Sequence, residues 1–119
     1  MTPVRRANVW IFLAAVTVNS AFFINFCATV FQCGCASLWS GADARCNVHL
    51  AGAHHCPWCA NGLAASIVPW ALIAAVQAAV SFWPRPMGVA VRLAAAMGAF
   101  PVAGAVISAV YGLASGYWK

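Results

Sequence analysis

The sequence predicts an all-α membrane protein: three transmembrane helices, N-terminus in and C-terminus out, with an irregular Cys/His-rich extracytoplasmic loop between helices 1 and 2. Three observations predict it. The chain is 65% hydrophobic and only 6% charged over 119 residues, against roughly 25% charged in an ordinary globular domain. Its apolar residues gather in three long runs, each near the ~20 residues that a helix needs to cross a ~30 Å hydrocarbon core. The cysteines and histidines avoid those runs, all but Cys27 lying between the first two of them. The chain reads as one membrane domain, residues 1–119, for which lipid is the solvent that tolerates such a composition.

The first helix is expected over about 9–31, from VWIFLAAVTV to INFCATVF. Arg5 and Arg6 ahead of it also resemble the basic head of a cleaved signal peptide. The run is longer than a signal core, however, and it lacks a small-residue cleavage site at its end, so a retained span is expected. The second helix is expected over 63–83, with Pro69 near its start and Gln77 as its strongly polar member. The third is expected over 93–115, where neighbouring helices can satisfy the carbonyl freed by Pro101. Its second half places Gly104, Ser108, Gly112 and Gly116 at four-residue spacing, a small-residue stripe along which another helix can approach closely. With two companion helices in the same chain, the stripe is expected to pack against them, and docking of another subunit is the second use of it.

Short-loop charges set the orientation. Arg5, Arg6, Arg85 and Arg92 fall on one side, Arg45 and Lys119 on the other. The N-terminus and the WPRPMG turn are therefore assigned to the cytoplasm, and the Cys/His loop to the periplasmic side of a bacterial inner membrane. Trp10, Trp70, Trp83 and Trp118 are expected at span ends as interfacial anchors. Despite a net charge of +5, no basic stripe is present, so nucleic acid is not an expected partner. The expected partners are the lipid bilayer and other membrane subunits. Asp43 is the lone acid in the chain. No acid/base pair and no Ser–His–acid set can be assembled from it, which makes an enzyme the less favoured reading. Histidines and acids are absent from the spans, which argues against a buried bis-histidine haem or a proton relay.

Chemistry is concentrated in the loop over 32–62, QCGCASLWSGADARCNVHLAGAHHCPWCANG. A loop this long without secondary structure of its own is usually functional or cross-linked. Cys46-x-x-His49 followed by Cys56-x-x-Cys59 gives two ligand pairs, enough to fill the tetrahedron that zinc prefers. Cys33, Cys35, His54 and His55 are surplus ligands, pointing to a second ion or to copper, for which thiolate and imidazole are both suitable. The predicted cofactor is thus zinc or copper. Two other readings compete. Cys56-Pro57-Trp58-Cys59 ahead of a helix N-terminus suits a membrane thiol–disulfide oxidoreductase, because the helix end lowers a thiol pKa. Alternatively the cysteines staple the loop as structural disulfides. The odd number of loop cysteines and the interleaved histidines favour ligation, provided that Cys27 stays apart as a small buried hydrophobe. Leu38, Trp39 and Trp58 are expected to rest on the headgroup layer. The function expected is that of a small membrane protein binding a transition metal, as an accessory subunit of a larger complex or in metal handling.

Overall fold

The computed structural model describes residues 2–41, 44, 46, 49, 55–59 and 63–117. Among them are three α-helices: α1 (Pro3–Phe31), α2 (Leu63–Ser81) and α3 (Val89–Ser115). A 3-10 turn covers Leu38–Ser40, and no described residue is in a strand. Arg45 and Lys119, used to orient the chain, and the expected anchor Trp118 lie outside the described residues.

Each helix begins and ends for local reasons. α1 starts well before residue 9 because a cap, not hydropathy, sets its start. The Thr2 hydroxyl accepts from the Arg5 N–H at 3.2 Å, and Pro3, which has no N–H to satisfy, takes the first helical position. It stops at Gln32, whose φ of 49° is left-handed. α2 ends at Ser81 rather than 83, since Trp83 precedes Pro84 and a residue before proline avoids helical angles. α3 starts at Val89, earlier than expected, so Arg92 lies inside it. From there Arg92 closes the end of α2. Its Nη1 donates to the carbonyls of Val80 (3.2 Å), Ser81 (3.1 Å) and Trp83 (2.8 Å), and its Nη2 to that of Arg85 (2.8 Å). These are the carbonyls that a helix C-terminus leaves without partners, and a cation there also meets the negative end of the helix dipole.

Several polar side chains of the bundle point inward and many apolar ones outward. Asn19, Gln77, Ser81 and Ser108 are fully buried, whereas Leu72, Val76, Val102, Val106, Val110 and Leu113 are exposed. Gln77 ties the three helices together, its Nε2 donating to the carbonyls of Ala15 (3.1 Å) and Ala96 (3.3 Å). On the outside of α1, the hydroxyls of Thr17, Ser20 and Thr29 return to carbonyls of their own helix four residues back, which leaves less polarity for the surroundings to satisfy. At 29 and 27 residues, α1 and α3 are long and apolar enough to cross a membrane. α2 has 19 residues, about 28 Å at 1.5 Å per residue.

A groove at one end is lined by Pro3, Val4, Asn8, Trp83, Arg85 and Arg92, so the N-terminus and the α2–α3 turn share that end. At the other end Tyr117 packs edge-on against Phe31 with centroids 5.3 Å apart, and its hydroxyl donates to the Phe31 carbonyl. Of the small-residue stripe, Gly104, Ser108 and Gly112 are buried. A Cβ at Gly104 would sit 2.7 Å from Cε1 of Phe26, so any larger residue there has to displace that ring. Gly116 serves differently. It ends α3 at a left-handed φ of 72°, and the next residue's N–H returns to the Gly112 carbonyl at 3.0 Å. Of the expected anchors, Trp10 and Trp83 are exposed. Trp70 instead pins α2 to α1, donating from Nε1 to the Ser20 hydroxyl at 3.0 Å.

Candidate metal centre

The end of α1 and the loop that follows it bring sulfur atoms together. Cys27 lies on the last turns of α1, on the same inward face as Phe23 and Phe31. After Gln32 reverses the chain, Cys33 and Cys35 flank Gly34, whose φ of 87° is one that side chains rarely adopt. That turn lets both sulfurs face the same side, 3.3 Å apart. Asn25 holds the segment leaving them, donating from Nδ2 to the Ser37 hydroxyl at 2.8 Å. Farther along, Cys56-Pro57-Trp58-Cys59 forms a β-turn, with the Cys59 N–H on the Cys56 carbonyl at 3.1 Å. Proline suits the second position of such a turn because its φ is preset. Cys46 and His49 close a turn of the same span, again at 3.1 Å.

Trp58 drives this loop into the bundle. It is fully buried, stacked on Phe23 at 4.9 Å with the planes 6° apart, and in edge contact with Phe31 at 5.6 Å. The expected placement of Trp58 on the headgroup layer is therefore wrong. A ring that finds three phenylalanines on an adjacent helix buries more apolar area there than at an interface. Trp39, by contrast, is exposed and meets Phe22 edge-on at 5.9 Å.

With the loop docked, the Cys56 sulfur comes within 3.1 Å of that of Cys27, and the Cys33 sulfur within 3.9 Å of it. Two sets of three sulfurs result, each lying within 4.8 Å of one another: Cys27, Cys33 and Cys56, and Cys33, Cys35 and Cys46. Cys33 belongs to both. Cys59 joins from the side, its thiol interacting with those of Cys27, Cys56 and Cys46. No pair is at the ~2.05 Å of a disulfide, and all six cysteines are thiols. Sulfurs bound to one zinc at about 2.3 Å stand roughly 3.8 Å apart in a tetrahedron. The separations found here, 3.1, 3.3 and 3.9 Å, reach that value at the longest and fall short of it at the others, and each set, with its sulfurs within 4.8 Å of one another, could hold a metal ion.

Burial and shared protons set the electrostatics. The thiols of Cys33 and Cys59 are held well below the ordinary thiol range, first by hydrogen bonding to Cys27 and then to Cys56. Burial, followed by the Cys33 and Cys46 thiols, pushes Cys35 up. At Cys56 the Cys27 thiol favours the thiolate, but the Cys33 and Cys59 thiols and burial outweigh it and the pKa rises. The sulfurs thus titrate as one set, some giving up protons because others keep them.

The cysteines of the expected ligand list, Cys33, Cys35, Cys46, Cys56 and Cys59, are brought together. The histidines are not part of either sulfur set: His49 and His55 are exposed, and His54 lies outside the described residues. In Cys46-x-x-His49 the turn forms, but the cysteine is buried and the histidine faces out. Cys27 was the residue that sequence reasoning set aside. Its apolar surroundings made it look inert, and the odd count of loop cysteines was the signal that another sulfur was needed. Comparison with protein-family models, curated proteins and solved structures gave no match to this chain.

Proposed function

We propose that this protein is a small integral membrane protein that crosses the bilayer three times and binds a transition-metal ion, zinc or copper, on the cysteine sulfurs at one end of its bundle. The observation that carries this reading is the pair of sulfur sets joined at Cys33. Six cysteines converging from α1, its exit and two separate turns make a donor set that soft or borderline metals select. The outward apolar residues and inward Asn19 and Gln77 support a lipid surrounding. Arg5, Arg6, Arg85 and Arg92 favour a cytoplasmic location for the opposite end, and hence a periplasmic face for the sulfurs in a bacterial inner membrane. Three helices in a chain of 119 residues offer little room for a substrate, which supports a role as an accessory subunit of a larger membrane complex or in metal handling.

The test is metal analysis of protein purified in detergent without chelators, with Cys27→Ser and Cys56→Ser beside it. The expected result is bound zinc or copper in the wild type and less of it in both variants. Wild-type protein that is metal-free, and takes up neither ion when fully reduced, overturns the reading.

One observation favours a second reading. The sulfurs of Cys27 and Cys56 stand only 3.1 Å apart, and a small shift would allow a disulfide. That pair would join the loop to α1, and it predicts two thiols fewer on alkylation before reduction than after. A thiol–disulfide oxidoreductase acting through Cys56-Pro57-Trp58-Cys59 meets an obstacle, because Cys56 and Trp58 are fully buried and an attacking thiolate needs access.

A further inference from the structure

We infer that the centre is binuclear, two copper(I) ions sharing the Cys33 sulfur as a bridge; this rests on the metal-binding reading above and specifies its ligand. The geometry of the two sulfur sets leads to it. Cys27, Cys33 and Cys56 form one triangle and Cys33, Cys35 and Cys46 another, with every sulfur of a set within 4.8 Å of the others. A single ion can occupy the middle of one triangle only. The second triangle then remains as a complete donor set that a one-ion centre leaves unused. Thiolate sulfur has lone pairs enough to bind two metals, so the shared vertex is a natural bridge.

The donors also select the ion. Each triangle supplies three sulfurs and no nitrogen or oxygen, with the described histidines His49 and His55 exposed outside it. With Cys59 beside the first triangle one zinc could find four sulfurs, but two zinc ions sharing one bridge would need seven and the chain has six cysteines, whereas two copper(I) ions, each content with three thiolates, need five. Burial points the same way. Cys27, Cys33, Cys46 and Cys56 are between 0% and 2% exposed, among Phe23, Phe31 and Trp58. Sulfurs buried to that degree shield a bound copper(I) from water and from oxidation. Cys35 and Cys59 are half-buried and form the rim across which an ion reaches the deeper sulfurs by thiolate exchange.

The experiment is an anaerobic titration of the reduced, full-length protein in detergent with tetrakis(acetonitrile)copper(I), against a chromophoric copper(I) chelator. X-ray absorption is then recorded on the loaded sample. The expected result is two equivalents of copper per chain, sulfur-only coordination and a copper–copper scattering path. Cys35→Ser and Cys46→Ser should each keep one equivalent in the Cys27 triangle, and Cys27→Ser one in the other. Cys33→Ser should lose the copper–copper path. Circular dichroism shows whether each variant is folded, and the three outer variants test the bridge even if Cys33→Ser is not. One equivalent in the wild type, or zinc bound in preference to copper on four sulfurs, overturns the binuclear centre and leaves metal binding standing. No uptake of either ion overturns both.

Discussion

Trp58 is the residue on which the docked loop turns. Its ring lies between the chain that carries Cys56 and Cys59 and the face of α1 that carries Cys27, touching Phe23, Phe26 and Phe31. Trp58→Ala should remove that anchor at a cost of about 3–5 kcal/mol, as large-to-small core changes do, and bound metal should be lost with it. The indole Nε1 is buried without a hydrogen-bond partner. Trp58→Phe therefore keeps the stacking and discards a polar atom that gains little, and it should hold most of the stability and the metal. Thermal melts in detergent, read beside metal content, check both; equal losses in the two variants would mean that the ring is not the anchor. Much of this was hidden in the sequence. The five loop cysteines declare themselves by density, but Cys27 sits in an apolar run where it is indistinguishable from a packing residue. Trp58 likewise reads as an interfacial aromatic until Phe23, Phe26 and Phe31 are seen to offer it a better site. The histidines err in the other direction, since a Cys-x-x-His spacing fixes the turn and leaves the direction of the imidazole open.

Among the helices, hydropathy found all three, while their ends were set by interactions that hydropathy does not register. The Thr2–Pro3 cap lengthens α1, Pro84 shortens α2, and Gly88 admits Arg92 into α3. Arg92 then has a structural task beyond its charge. Bound to four carbonyls and only 5% exposed, it should cost about 1.5–3 kcal/mol when replaced by alanine, the range for hydrogen bonds to a charged group. Arg92→Lys should recover less than half of this, because an ammonium cannot span the same fork of acceptors. Unfolding by denaturant in micelles measures both, and full rescue by lysine would reduce Arg92 to a charge. The helix contact at Gly104 makes an independent prediction. A Cβ there would strike the Phe26 ring at 2.7 Å, and that ring also packs on Trp58 and Phe100. Gly104→Val should therefore cost about 1–3 kcal/mol by overpacking and disturb the sulfur centre from a distance. Gly98→Val, at a glycine with open space around it, is the control expected to leave metal binding intact. The four-residue spacing of small residues was legible in the sequence, but which of its members face a neighbour and which one ends the helix was not.

At the scale of the whole molecule, the sulfur centre and the bundle are one cooperative unit. The aromatic cluster under the cysteines is continuous with the helix core, since Phe23, Phe31, Ile73 and Phe100 pack in the same cluster as Cys27, Cys33, Cys46 and Cys56. The converging cysteines belong to α1 and to three separate places in the chain after it. An ion that gathers them can bind only when the loop is docked and the helices are in place. It should therefore stabilise the protein as any ligand of the folded state does, by about 2.7 kcal/mol when present at a hundred times its dissociation constant. For a chain of this size that corresponds to a rise in melting midpoint of several degrees. The comparison to make is metal-loaded against chelator-stripped protein, both fully reduced, in the same detergent. Cys27→Ser should show a smaller shift than the wild type, while Gly98→Val should show the wild-type shift. A wild-type midpoint indifferent to metal would separate the centre from the fold, leaving the cysteines as a surface attachment and not the part of the chain that locks its three helices at one end.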